Sequence, residues 1–332
     1  MPSVILTGDV MLGRGVAQAI ERFGASYPWG NVAPLLQAAD LAIVNLECVI
    51  ASQGRPWSRW QKEFRFRAPP QAIETLKWAG IDCVSLANNH VLDYEEEALG
   101  EMLRRLREAA IASAGAGGNL PEVRRPAILC ADSLRVGVIA FTDNEPQWAA
   151  GSETPGVNYI PITLDQGESL LPVQHAIEEA RRRGAHLVIV SAHWGPNMVE
   201  RPPRLFREFA REVIRLGADV FWGHSAHIFQ GIEICQERPI LYDTGDFVDD
   251  YAVDPELRND YGLLYRLNVA DARVRNIEMI PTCIQNCQVR LAREADGRAI
   301  SDRMRRLCAE MGTRLQVKGG TLRIECGERM GA

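Results

Sequence analysis

A chain of 332 residues is long enough for a substantial core, and 46% hydrophobic with 24% charged residues is the balance of an ordinary globular protein. A formal net charge of −6, from 37 basic and 43 acidic residues, argues against nucleic-acid binding driven by bulk electrostatics. The basic residues are almost all Arg, with Lys only at Lys62, Lys77 and Lys318, and no GxxxxGK[ST] phosphate loop occurs.

The first strand, Ser3 to Thr7, begins at once, without a charged or long apolar leader, and no run approaches the ~18 apolar residues of a membrane helix. The eight Cys are scattered without a CxxC pair. Reduced, mostly buried thiols in a cytoplasmic protein are therefore expected.

Val4 to Thr7 ends in Gly8-Asp9-Val10-Met11-Leu12-Gly13-Arg14, and a helix is predicted over Val16 to Phe23. Asp9 sits where the strand stops; taken alone it reads as a turn or helix N-cap carboxylate. Leu41 to Glu47 repeats the arrangement, an apolar strand ending in Asn45 and Glu47. A Glu at the end of a buried strand must be paired, solvated or bound to metal. Residues 51–69 form a polar, aromatic connection whose Phe64-Arg65-Phe66-Arg67 alternation predicts an edge strand. Two readings stay open for it: a covering loop with solvated Arg, or a wall from which Lys62, Arg65 and Arg67 face an anionic substrate.

After a helix over Pro69 to Ala79, the strand Ile81 to Leu86 leads into Asn88-Asn89-His90-x-x-Asp93, followed by a helix from Tyr94 to Ala112. Loops between a strand and a helix are where α/β enzymes keep their chemistry. Ser113 to Asn119 is a Gly-rich turn after a helix, not a dinucleotide fingerprint. Strands follow at Pro126 to Cys130 and Leu134 to Phe141, then a Pro/Gly-punctuated stretch, 145–163, read as a flexible lid, and a helix over Leu170 to Arg183. The apolar strand Leu187 to Ala192 ends in His193-Trp194-Gly195; after a helix over Pro203 to Leu216, the strand Asp219 to Trp222 ends in Gly223-His224-Ser225-Ala226-His227. A β-rich region follows (231–235, 239–242, 261–269, 274–281), then a helix over Ile300 to Met311 and a hairpin over 314–324 turning at Gly319-Gly320.

Five strand ends thus carry Asp9, Glu47, Asn89 with His90, His193, and His224 with His227. Four of the six His in the chain lie at three of these ends, and His175 and His186 are left as structural. Carboxylates, an Asn and imidazoles together are the ligand mixture of a two-metal hydrolytic site for Mn, Fe or Zn.

With these motifs in order, the sequence resembles the CapA family, poly-γ-glutamate synthesis proteins of the PgsA type, within the calcineurin-like metallophosphatase superfamily. The likeness runs over about residues 3–250, through Gly8-Asp9-x-Met11-Leu12-Gly13-Arg14, Asn45-Leu46-Glu47, Ala87-Asn88-Asn89-His90-x-x-Asp93, His193-Trp194-Gly195, Gly223-His224-x-x-His227 and the Tyr242 to Phe247 strand. It implies an α/β (α+β) fold: a four-layer, metallophosphatase-like β-sandwich flanked by helices. Residues 1–282 would form the CapA-type domain, and 283–332 a C-terminal helix and hairpin packed on the same domain.

Carried over by position, the resemblance implies that Asp9 and His227 bind one divalent ion, that Glu47 bridges two, and that Asn89, His193 and His224 bind the other. His90, supported by Asp93, would contact the transferring group, with Arg14 stabilising developing charge. Met11 stands where metallophosphatases generally carry the His of Asp-x-His. Asp246 stands where CapA-type chains usually carry Asn and adds a carboxylate near the implied site; of its two readings, a metal ligand or base and a turn-capping residue, the turn cap comes first. The function implied is a metal-dependent hydrolase acting on a phosphoester or a related anionic, glutamyl-containing included, small molecule or peptide. The alternative is a non-hydrolytic accessory protein of polyglutamate or other acyl-ligase biosynthesis, binding an acidic polymer through Arg14, Lys62, Arg65 and Arg67. The expected partners are that anionic substrate and a second copy or a biosynthetic enzyme, with neither nucleic acid nor membrane.

Overall fold

A computed structural model describes residues 1–327. Two β-sheets pack face to face. The larger has ten strands, whose main path runs Gln316–Lys318, Thr321–Glu325, Arg273–Ile284, Tyr261–Ala270, Ser3–Val10, Leu41–Leu46, Cys83–Ser85, Ala112–Ala114. Asp246–Val248 and Val289–Leu291 pair off this path. The smaller sheet has six strands in the order Ile232–Cys235, Arg238–Leu241, Val220–His224, Leu187–His193, Leu134–Thr142, Ala127–Ala131.

The apolar runs form strands buried on both faces. Along Ser3–Val10, Val4 and Leu6 face the space between the sheets, while Ile5 and Val10 face a helical layer with Val16, Ile20, Leu76 and Leu99. Along Leu187–His193, Leu187 and Ile189 point inwards, and Val188 and Val190 pack under the helices Leu171–Arg182 and Arg204–Arg215. Each such fully buried side chain contributes about 1.5–3 kcal/mol relative to exposure. The result is helix, sheet, sheet, helix, the four layers expected.

The central strands of both sheets run parallel, so their C-terminal ends meet along one edge. Register then aligns the motifs: Asp9 lies opposite both Asn45 and Asp246, and His193 opposite His224. Gly8 permits this. A Cβ there would sit 2.0 Å from the Gly245 carbonyl oxygen, against which the Asp9 amide donates at 2.8 Å.

Several expectations are corrected. The helix after the Asn-Asn-His run spans Glu95–Glu108, and Ala112–Ala114 instead adds a strand to the large sheet. The predicted Phe64 to Arg67 edge strand reduces to Arg67–Ala68, paired with Val49–Ile50. The stretch 145–163 is no lid: Trp148 is buried, Gly156–Val157 pairs with Ala116–Gly117, and the Asn158 side chain donates to the Ala140 carbonyl. Backbone polar groups paired on this scale fix a loop in place. The C-terminal helix begins earlier than predicted, at Glu294, and sends Ile300, Met304 and Leu307 into the core between the sheets. The hairpin turns at Gly319-Gly320 as expected, and its Thr321–Glu325 strand pairs with Arg273–Ile284. All eight Cys are free thiols, of which Cys130 is exposed. Among the described residues no helix is long and apolar enough to cross a membrane.

Candidate metal centre

The strand ends bring most of the predicted ligands together. Ligand atoms of Asp9, His193 and His224 lie within 4.8 Å of one another, as do those of Asp9, Glu47, His227 and Asp246. Asp9 is common to both groups. Its Oδ1 stands 3.9 Å from His193 Nδ1 and 3.7 Å from His224 Nδ1, and its Oδ2 3.9 Å from His227 Nδ1. Glu47 Oε1 is 3.7 Å from His193 Nε2 and 3.9 Å from His90 Nε2.

A second set of residues orients these. Asn45 donates to Asp9 Oδ1 at 2.7 Å, and Tyr251 Oη donates to Glu47 Oε2 at 3.0 Å. Ser191 Oγ donates to Ser85 Oγ at 3.0 Å, which leaves Ser191 to accept from His224 Nε2 at 2.8 Å. That hydrogen bond puts the lone pair of His224 on Nδ1, facing Asp9. His193 Nδ1 and His224 Nδ1 are 2.9 Å apart, a spacing that requires a proton or a cation between them. His90 Nδ1 is bonded to Asp93 Oδ2 at 2.6 Å, so Nε2 faces the centre. Asn88 ties the loop down, donating to Asn45 Oδ1 and the Leu46 carbonyl while accepting from the His90 amide.

Four buried polar atoms in this cluster have no hydrogen-bond partner, Asp9 Oδ2, Glu47 Oε1, His193 Nε2 and Asp246 Oδ2, and Asn89 Oδ1, on the wall of the cleft described below, has none either. Native folds rarely leave such atoms unpaired without a reason. Charge points the same way. Burial pushes Asp9 well above the ordinary carboxylate range, Glu47 and Asp246 adding to it, and burial raises Glu47 as well. Burial, with His224 alongside, holds His193 well below the usual imidazole range, and burial takes His224 down to about 3. Burial also opposes charge on His227, but the carboxylates of Asp246, Glu47 and Asp9 outweigh it and raise that group. A buried carboxylate cluster of this kind is short of positive charge, and its oxygen and nitrogen donors are compatible with divalent metal ions.

The remaining predicted residues distribute unevenly. A cleft of about 510 Å³ opens over the centre, and Arg14, Lys62, Asn89, His90 and His227 line it with Phe64, Phe66, Met198 and Tyr251. Lys62 is not free to meet a substrate: its ammonium donates to the Asn89 carbonyl and pairs with Glu145 at 3.0 Å and Asp93 at 3.4 Å. Arg65 and Arg67 lie outside the cleft lining. Arg65 donates to the Trp57 carbonyl and Arg67 stacks 4.1 Å from the Tyr94 ring centroid. The alternation of the segment puts its Phe side chains along the cleft and its Arg side chains outside it. Met11 is fully buried in the helix-side core. Asp243 caps the turn, accepting from the Ala226 and Gly245 amides, while Asp246 instead bonds His227 Nδ1 at 2.8 Å. Tyr251 had no signal in the sequence, being 204 residues from the Glu47 it orients.

Residues 3–251 match the family described as bacterial capsule synthesis protein PGA_cap. A probable polyglutamine synthesis accessory protein of Mycobacterium tuberculosis is 30% identical, over 96% of this chain and 94% of that one. The capsule biosynthesis protein CapA of Bacillus anthracis is 26% identical, over 85% of this chain and 67% of its own length. Among solved structures, a hypothetical protein from Thermus thermophilus has a similar fold, with a TM-score of 0.50 at 14% identity over 84% of this chain and 98% of that one.

Proposed function

The chain belongs to the bacterial capsule synthesis protein family, and from that premise we propose that it is a metal-dependent hydrolase, of metallophosphatase type, of a phosphoester or related anionic substrate. The observation that carries this reading is the set of unpartnered ligand atoms on Asp9, Glu47, Asn89, His193 and Asp246, buried beneath an open cleft.

Divalent ions of the Mn, Fe or Zn type, two in number, would be held by Asp9, Glu47, Asn89, His193, His224, His227 and Asp246 and would supply Lewis-acid activation of water and of a substrate oxygen. The chain does the rest. Asn45 and Tyr251 fix the two carboxylates, and Ser191 fixes the tautomer of His224. Asp93 holds His90 so that its Nε2 is presented to the leaving oxygen. Arg14 lines the cleft beside His90 and His227, where its guanidinium neutralises developing negative charge.

The names of the relatives support a second reading, an accessory protein working with a biosynthetic enzyme on an acidic polymer. It needs a row of free cations, whereas Lys62 is engaged internally and Arg65 and Arg67 lie outside the cleft. Elemental analysis decides between them. About two equivalents of metal in the wild type, reduced in both His193→Ala and Asp9→Ala, support the hydrolase. Absence of metal after reconstitution refutes it and leaves the accessory role.

A further inference from the structure

Three rings stack about Phe66 beside the candidate centre. Phe66 lies 4.0 Å from His90 at 28°, 5.5 Å from Tyr251 at 30° and 6.4 Å from Phe64 at 25°, measured between centroids. His90 is buried at the foot of this ladder and Phe64, at its top, is 54% exposed. An exposed aromatic ring in the wall of a cleft that also holds reactive side chains offers a surface for stacking. The Arg14 guanidinium flanks the ladder, 5.5 Å from the Phe66 centroid and 6.0 Å from that of Tyr251.

The charges of the cleft are sparse. Arg14 is half-exposed and only partly neutralised by Asp250 at 3.3 Å. Lys62 is enclosed by carboxylates, and Glu63 adds negative charge at the lip. A polyanion would meet one available cation, Arg14, and three aromatic rings, Phe64, Phe66 and Tyr251. A compact anion with an unsaturated ring would meet complementary surface at both ends.

Resting on the hydrolase reading above, we propose that the cleft takes a small substrate whose one anionic group, seated at the metal centre, is carried by a flat unsaturated ring stacked on Phe64. Phe64 is then the residue that sets specificity. Aromatic pairs beyond simple burial are worth enough to separate ligands about tenfold.

The test uses the full chain reconstituted with Mn²⁺ and two non-hydrolysable anions with the same charged head, 4-phenylbutylphosphonate, whose four-carbon spacer lets the ring reach Phe64 from the centre, and butylphosphonate, titrated calorimetrically. The expected result is 4-phenylbutylphosphonate bound about tenfold more tightly, with the ratio falling to about twofold or less in Phe64→Ala and restored in Phe64→Tyr. Equal affinities in the wild type, or a ratio unchanged in Phe64→Ala, overturn the proposal. Mn²⁺ bound with neither phosphonate held also overturns the substrate class while leaving the metal centre standing. Failure to take up Mn²⁺ overturns the hydrolase reading and this inference with it.

Discussion

Lys62→Met tests the link between the 51–69 connection and the centre. The Lys62 side chain is 7% exposed, and its ammonium lies 4.5 Å from the Trp148 centroid as well as against Asn89, Glu145 and Asp93. Asp93 is fully buried; its Oδ2 already accepts from the Phe66 amide at 2.6 Å and bonds His90 Nδ1 at 2.6 Å. Methionine keeps the packing of the stem but leaves Asp93 Oδ1 without its countercharge. Removing one partner of a buried pair costs about 3–5 kcal/mol. Glu145 is 22% exposed and can turn to water, so the lower end, about 3 kcal/mol, applies. An unfolding entropy of about 2.1 cal/mol/K per residue gives about 0.7 kcal/mol/K for this chain, hence a melting temperature lower by about 4 °C. Scanning calorimetry on the metal-loaded protein reads it. In Lys62→Met/Asp93→Asn both charges leave together, so the loss should fall short of the sum of the single losses by about 1 kcal/mol or more. A fall below about 1 °C, or strict additivity, refutes the pairing.

Glu101 accepts from the Ser52 and Gln53 amides, the Ser52 hydroxyl and Arg105. Burial opposes its ionisation, yet these hydrogen bonds outweigh burial and lower the group from 4.5 to about 2. Its stabilisation is therefore complete above the ordinary glutamate value and is lost as pH falls towards 2. Glu101→Gln should cost about 2 kcal/mol in urea unfolding at pH 7 and converge on the wild type near pH 2; a constant difference across that range would contradict the assignment. Gly8→Ala should destabilise by about 3 kcal/mol or more, because the new Cβ meets the Gly245 carbonyl oxygen. Gly100→Ala, with nothing within 4 Å, should instead gain about 0.5–1 kcal/mol from helix propensity.

The sequence by itself determined the strands and the chemistry at their ends. Continuous apolar runs such as Leu187 to Val190 become strands covered on both faces, and a polar residue where such a run stops must emerge at the sheet edge. That logic is local, so Asp9, Glu47, His193, His224 and His227 were legible as a set. Long-range register decided the rest. Asp246 stands opposite Asp9 because Asp246–Val248 pairs with the first strand across more than two hundred residues, a relation that no spacing encodes. The tertiary structure likewise fixed the 145–163 stretch, through partners at Ala116–Gly117 and Ala140. It also chose between two faces of one alternating segment, sending Phe64 and Phe66 into the cleft and leaving Arg65 and Arg67 outside it. Alternation states only that neighbours point opposite ways. Which side faces the site depends on what the rest of the chain packs against it: here Tyr251 and His90 stack on Phe66, and Tyr94 and the Trp57 carbonyl take up the guanidinium groups.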